Sequence, residues 1–539
     1  MIKTVRHYHQ ITKHTTEAYA PSPGFLDWDS QPDPFRRFVG AERIKLPLVS
    51  GEDLADYDQL YQSGAAPSQP FDVNGLGLFL ELALGLSAWK EAGPDRWALR
   101  NNPSSGNLHP TEGYVLVWQR CEGVTPGLYH YNALDHVLER RARLEEGLAE
   151  ELSTAHPKTY GAVMLSTITW REEWKYGARA LRYCQLDVGH ALGALSFAGG
   201  VLGWGVSVDG APGDDLLAAL MGLKDFGEAE PELADVCAFI GDRPEGAFPW
   251  EDVAQALSDW AGQASVASQE RVAWPQITQV IPSLHKPDTA ALPSYGAQEH
   301  VEIPPSDAGN ATDLIRQRRS AQRMDAKTGM TRADFERTLA RTLPQGEGGP
   351  LAVLPYAPAI NLLIFVHDVE GYEPGLYLLV RNVDTFDNFR RACDAPDFKW
   401  DKVADTALPL WALDVPGDYR KTASQLSCYQ GIAGRGAFSL GMLGALGAAM
   451  DTEGAWAWRR LHWEAGLIGQ VLYLEAEASG VRGTGIGCFF DDDVHRLIGL
   501  DTGEDAPWQT LYHFTVGGPI EDQRLKTAPP YAHLNDRQT

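Results

Sequence analysis

The sequence predicts an α+β chain built from two similar α/β sandwich units fused in tandem, a pseudo-dimer within one polypeptide. Three observations lead there. The chain has 539 residues, too many for one ordinary core. It resembles itself at a shift of 277 positions: Arg182 falls on Arg459, Asp187 on Glu464, Gly189 on Gly466, and Asp214 on Asp491. Each copy also interleaves strand-like and helix-like segments in the same order.

The elements run in parallel. "GYVLVW" (113–118) and "NLLIFVH" (361–367) read as strands, followed by "PGLY" at 126–129 and again at 374–377. A long helix is predicted over 176–202 and over 454–480, with Gly203 and Gly480 where a C-terminal cap belongs. A Gly-rich strand, a short helix ending Gly-Leu and a last strand ("VCAFIG" 236–241; "LYHFTVGG" 511–518) complete each copy. The Pro-Gly-Leu-Tyr pair is offset by 248, so the second copy carries an insertion of about thirty residues within 381–410. Between the copies, 263–310 holds Pro275, Pro282, Pro287, Pro293, Pro304 and Pro305 and reads as an extended linker. The predicted organisation is a first domain over 1–262 with an N-terminal extension, a linker over 263–310, and a second domain over 311–539.

Composition narrows the function. A net charge of −26 argues against nucleic-acid binding and against anionic membrane surfaces. The six cysteines form no Cys-x-x-Cys pair, and "MIKTVRHYHQITKH" has no apolar signal core, so a reduced, cytoplasmic chain is expected. "AFSLGMLGALGAAM" (437–450) is too short for a membrane span and reads as a buried helix. His7, His9 and His14 lack a carboxylate or cysteine at ligand spacing, so no metal is predicted. The acidic run 491–493 matches a helix start in both copies and reads as capping.

The halves have diverged in complementary ways. "DLIRQRRSAQRMD" (313–325) places Arg318, Arg319 and Arg323 around Ser320, a set that suits an anion. It equally suits a solvated basic face. The first copy offers "YQSGAAPSQPF" (61–71) instead, without arginine. Conversely, "NNPSSGNLHP" (101–110) packs polar side chains into a loop, where the second copy has the apolar "LAVLPYAP". One composite site shared across the pseudo-dimer interface accounts for both losses.

These segments resemble the nitroreductase superfamily of flavin enzymes over nearly the whole chain. "YHQITKHT", "NPSSGNLHPTEGY", "PGLYHYNALDHVLE" and "WKYGARALRYCQLDVGH" are similar to its SagB/ThcOx-type branch, FMN-dependent dehydrogenases that oxidise azolines in ribosomally made peptides. "IRQRRSAQRMD", "LHWEAGLIGQVLYLEAEASGVRGTGIGCF" and "VGGPIEDQRL" resemble the flavin-binding half. The resemblance implies that Arg318, Arg319 and Ser320 grip the FMN phosphate, with Arg524 and Lys526 as helpers. The family often has a basic residue two places after the serine; here it is Gln322, followed by Arg323.

By the same resemblance Pro103, Ser104, Ser105 and Asn107 contact the isoalloxazine ring, whose alternating donors and acceptors their side chains can match. "GTGIGCF", with Gly485, Ile486 and Gly487, passes over the reactive face and leaves it open. Lys175 and Tyr176 correspond to a pair implicated in proton removal, although a helix start and a packed ring would use the same residues. The implied protein carries one FMN per chain and dehydrogenates a small-molecule or peptide heterocycle. Two alternatives stand: an NAD(P)H-dependent nitro or quinone reductase with NAD(P)H as transient reductant, and a non-catalytic flavin-binding scaffold. No dinucleotide fingerprint is present, which does not exclude the first.

Overall fold

Strands buried on both faces set the architecture. In the first half, Val115 and Val117 face the long helix Ala180–Val201, while Tyr114, Leu116 and Trp118 face a second apolar cluster. In the second half, Leu362 and Ile364 face the helix Ala457–Ala478, while Leu363 and Phe365 face the outer helices. Period-two burial on both sides makes each sheet the middle layer of a sandwich. The computed structural model describes residues 1–537 apart from 63, 225, 291–300, 302, 345–347, 394–398 and 414.

The two sheets repeat one order. The first runs Leu257–Ser258, Val137–Leu144, Gly127–Asn132, Thr111–Val117, Thr159–Thr167, Leu233–Gly241, Val206–Asp209. The second runs Trp400–Lys402, Leu410–Leu413, Gly375–Leu379, Ile360–Val366, Phe438–Gly444, Gln509–Gly517, Arg482–Ile486. Their strand pairs are antiparallel throughout. A further sheet joins the halves: Lys526–Ala528, near the C-terminus, pairs with Leu86–Ala92 of the first half. The Tyr531 hydroxyl accepts from Leu86 N at 2.8 Å beside that junction.

The two long helices cross at the centre, at Gly189 and Gly466, the pair matched by the repeat. A Cβ on Gly189 would lie 2.2 Å from the Trp463 carbonyl oxygen, and one on Gly466 would lie 2.0 Å from that of Leu186. Each contact is the image of the other under the 277-residue shift, as an isologous two-fold interface requires. Ion pairs repeat the relation. Arg182 Nη1 donates to Asp491 at 2.7 Å, and Arg459 Nη1 donates to Asp214 at 2.6 Å, each reaching the short helix of the other half.

Several expected elements differ. The first long helix begins at Ala180, because Gly177 (φ +55°) ends a separate helix, Thr169–Tyr176. Gly203 (φ +64°) and Gly480 (φ +69°) follow their helices in the left-handed conformation expected of caps. Residues 437–450 are not one helix but the strand Phe438–Gly444 followed by the helix Leu446–Glu453; a strand buried on both faces shows no alternation to separate it from a buried helix. The segment 263–310 is not wholly extended: Gln263–Ala264 pairs with Phe38–Val39, and Pro275 opens the short helix Pro275–Val280 from its first position, where proline is tolerated. Pro293 lies outside the described residues. The insertion 381–410 holds the helix Phe386–Ala392 and the strand Trp400–Lys402, with 394–398 outside the described residues. Asp491 opens its helix as expected but caps nothing there; its carboxylate takes Arg179, Arg182 and the His14 amide, while Asp492 takes Lys13. Among the described residues no helix is long and apolar enough to cross a membrane.

The glycine crossing yields a prediction. Gly466→Ala forces a methyl into the Leu186 carbonyl and should lower unfolding free energy by about 3 kcal/mol or more. Urea denaturation measures it, and an unchanged midpoint would contradict the crossing geometry.

Candidate active site

Two segments from opposite halves meet in one cleft of about 260 Å³. One wall is the first-half loop, with Pro103, Ser104, Asn107 and His109. The other is the second-half arm, with Arg318, Arg319, Ser320 and Gln322. Local rules shape the arm. Asn310 caps the helix Ala311–Gln317 by accepting from Asp313 N at 3.0 Å, and at Arg318 the chain turns extended. It then lies along the edge strand Arg482–Ile486: Ala321 N donates to Gly483 O at 3.1 Å, and Thr484 Oγ1 to Ala321 O at 2.6 Å.

The arm is unusually cationic inside. Arg318 is buried, and its Nη2 donates to Arg100 O across the pseudo-dimer interface at 3.1 Å. Its Nε and Nη1 have no hydrogen-bond partner. Burial depresses its pKa, and burial followed by the neighbouring Arg318 charge brings Arg319 down to about 10. Arg319 spends its guanidinium on the carbonyls of Arg316, Arg318 and Ser87. Ser320 meets the Tyr473 hydroxyl at 2.9 Å, which in turn accepts from Gly485 N at 3.0 Å. Lys90, Arg100 and Arg482 also line the cleft with Glu521 and Asp522, and Arg482 pairs with Glu521. Buried guanidinium groups without full pairing carry a large desolvation cost that an anion would relieve. The donor set fits a phosphate.

Some expected site residues lie elsewhere or act differently. Arg524 is exposed and doubly bonded to Asp522, two positions away, and Lys526 sits exposed on the edge strand pairing with Glu91; neither lines the cleft. The other cationic side chains lining the cleft, Lys90, Arg100 and Arg482, come from separate elements and share no local spacing. Asn107 lines the cleft, but its amide already donates to Ala98 O at 2.8 Å and meets His109 Nε2 at 3.0 Å, so it holds the loop. Ser105 faces inward. Its N donates to Asp187 at 3.2 Å and its hydroxyl at 3.4 Å. Gly485 and Gly487 are closely packed: a Cβ would lie 1.8 Å from the Tyr512 hydroxyl and 2.1 Å from the Tyr183 ring. Ile486 is buried toward the outer helices.

Beneath the first-half loop lies a polar cluster. Gly106 (φ +61°) is overhung by Lys175 and Tyr176: a Cβ there would lie 2.7 Å from the Tyr176 hydroxyl and 3.0 Å from Lys175 Nζ. Glu172 lies on the same helix as both and is fully buried, with the Ser104 hydroxyl as its polar neighbour. Burial, then the charge of Asp187, pushes Glu172 well above the carboxylate range; burial pushes Asp187 up to about 7. Two buried carboxyls so placed cannot both ionise, and the pair holds a proton near neutrality. Sequence reasoning missed Glu172; its signal was an acid three positions before Lys175 and four before Tyr176, on the same helix face as both.

The pseudo-two-fold relates this cleft to a larger one of about 550 Å³. There the matched acid Glu464 anchors the apolar loop through Ala359 N at 3.1 Å, as Asp187 anchors Ser105. Glu464 also pairs with Arg381 and Arg460, so these cations are already neutralised.

No protein-family profile matches the chain. A crystal structure from Anabaena variabilis, assigned as a nitroreductase, superposes with a TM-score of 0.67 at 22% identity, covering 96% of this chain and 99% of that one. The chain therefore has the nitroreductase fold in tandem. The trifolitoxin-processing protein TfxB of Rhizobium leguminosarum bv. trifolii is 29% identical over 151 residues, which are 26% of this chain and 39% of that protein. The match thus spans well under half of the relative.

The buried acid pair has a pH signature. The folded chain holds a proton that the unfolded chain releases near the ordinary carboxylate pKa of about 4. Raising pH from about 5 to about 8 therefore favours unfolding, and Glu172→Gln should flatten that decline. Melting temperatures across this range test it; identical pH slopes in the two proteins would contradict the shared proton.

Proposed function

We propose that the chain is an FMN-dependent oxidoreductase with one flavin per chain, held between the Pro103–Asn107 loop and the Arg318–Ser320 arm. The observation that carries this reading is the buried Arg318 guanidinium with two unpartnered nitrogens at the meeting point of the halves. Arg318, Arg319 and Ser320 would hold the phosphate, with Lys90 and Arg482 adding charge. Pro103 and Ser104 would form the opposite wall. Bound flavin supplies a hydride acceptor that no side chain can replace.

The chain's own contribution is proton handling. Lys175 Nζ and the Tyr176 hydroxyl stand together above Gly106. Lys175 in its amine form can take the proton that must leave a C–H or N–H bond as hydride departs, while burial keeps the Tyr176 hydroxyl protonated as a hydrogen-bond donor. Glu172 and Asp187 lie beneath that pair and keep one proton among them. The limited likeness to the trifolitoxin-processing protein TfxB supports a natural-product heterocycle, such as one in a peptide, as substrate.

The purified protein should be yellow and release one FMN per chain on denaturation; two would contradict the composite site, and none would refute the flavin reading. Arg318→Ala should weaken FMN binding by about 2 kcal/mol, on the order of 30-fold. Unchanged retention would remove Arg318 from the phosphate role. Lys175→Ala should retain FMN while slowing substrate oxidation by about 100-fold or more. Full activity of that variant with NAD(P)H and a nitroaromatic, and none on a heterocycle in the parent protein, would favour the reductase reading.

A further inference from the structure

Three of the six cysteines are buried, and a fourth, Cys393, stands apart on the insertion. Cys428 and Cys488 are different. They are half-buried and lie on two segments laid side by side. Phe490 N donates to Leu426 O at 2.8 Å, and Gln430 Nε2 donates to Cys488 O at 3.2 Å. The Tyr429 and Phe490 rings meet edge to face at 5.4 Å. This pairing places Cys428 opposite Cys488 across the two segments. Cys428 (φ +54°) and Tyr429 (φ +60°) are successive L-residues in the left-handed region, a costly backbone that over-determined surroundings hold in place.

The groups facing the sulfurs are arranged for a thiolate. His14 Nδ1 accepts from Ala20 N at 2.9 Å, which leaves the ring proton on Nε2, the nitrogen free to donate to the Cys488 sulfur. Arg179 donates to Gly487 O at 3.2 Å and lies over the Phe489 ring, so its charge sits beside the sulfur; Asp491 balances it from the next helix. The exposed Tyr19 ring lies tilted against His14, with centroids 5.0 Å apart. Hydrogen bonds from Cys428 and His14, with the Arg179 charge, bring Cys488 down to about 5. Among the described residues no metal-binding group of three or more ligands exists, so the pair is not part of such a site.

We propose that Cys428 and Cys488 form a peroxide-reactive dithiol that closes to a disulfide, tying the Ser427–Gln430 turn to the segment that follows Gly487. In the first step the Cys488 thiolate attacks one oxygen of hydrogen peroxide. The O–O bond breaks, hydroxide leaves and takes a proton from solvent, and sulfur becomes the sulfenic acid. In the second, the Cys428 thiol loses its proton and attacks that sulfur; hydroxide leaves and becomes water. Two thiols are oxidised by two electrons, one peroxide is reduced to two waters, and one S–S bond forms. No flavin is needed, so the proposal stands or falls apart from the flavin reading.

The test uses the full chain. After exposure to hydrogen peroxide and blocking of free thiols, non-reducing peptide mapping should find the 428 and 488 peptides cross-linked, reversibly by dithiothreitol. In Cys428→Ser, dimedone should trap a sulfenic acid at Cys488. In the reduced protein near pH 6, iodoacetamide should modify Cys488 on the order of tenfold or more faster than Cys393, whose thiol burial pushes up to about 12. Sulfenic or sulfinic acid at Cys488 in the parent protein without the cross-link would overturn the pair, as would a Cys488 no faster than Cys393.

Discussion

The fold depends on two helices touching through bare backbone. Gly189 and Gly466 let the Trp463 and Leu186 carbonyls approach to a distance no side chain would permit. Glycine inside a helix costs about 1 kcal/mol against alanine, and two such positions persist where the axis passes. The reciprocal Arg182–Asp491 and Arg459–Asp214 bridges run from the same two helices to the short helix of the other half. Both pairs are nearly dry; removing one partner from such a pair costs about 3–5 kcal/mol, through the charge left behind.

Around this symmetric frame the chemistry is asymmetric. Asp187 and Glu464 occupy matched positions, and each anchors the loop ahead of the matching strand. Glu464 has two arginine partners, Arg381 and Arg460. Asp187 has none and is left with Glu172, so it binds a proton instead. The same division separates the clefts. In the larger one Arg381 pairs with Glu464 and Arg460 with Glu453, whereas Arg318 keeps two nitrogens unspent.

The frame was legible in the sequence because symmetry writes itself twice. The matched residues Arg182/Arg459, Gly189/Gly466 and Asp214/Asp491 are the ones that meet at the interface. The meeting of Ser104 with Ser320 was legible through complementary loss. What stayed hidden came from elements with no common spacing: Lys90 from a hairpin, Arg482 from an edge strand, Glu172 from a helix that ends at Gly177. Arg524 looked like a phosphate ligand by position, but Asp522 two residues away claims it. The 437–450 stretch hid a strand because burial on both faces erases the period that would mark it.

The strand Lys526–Ala528, which zips the end of the second half to the hairpin of the first, has a consequence for dilution. A cleft made by two separate subunits empties when the subunits part, so its occupancy follows protein concentration. Here both walls belong to one molecule, and their encounter is governed by chain length rather than by molarity. The cleft is therefore as complete in a cell with a few copies as in a concentrated solution. A substitution in one wall also alters one site and not two.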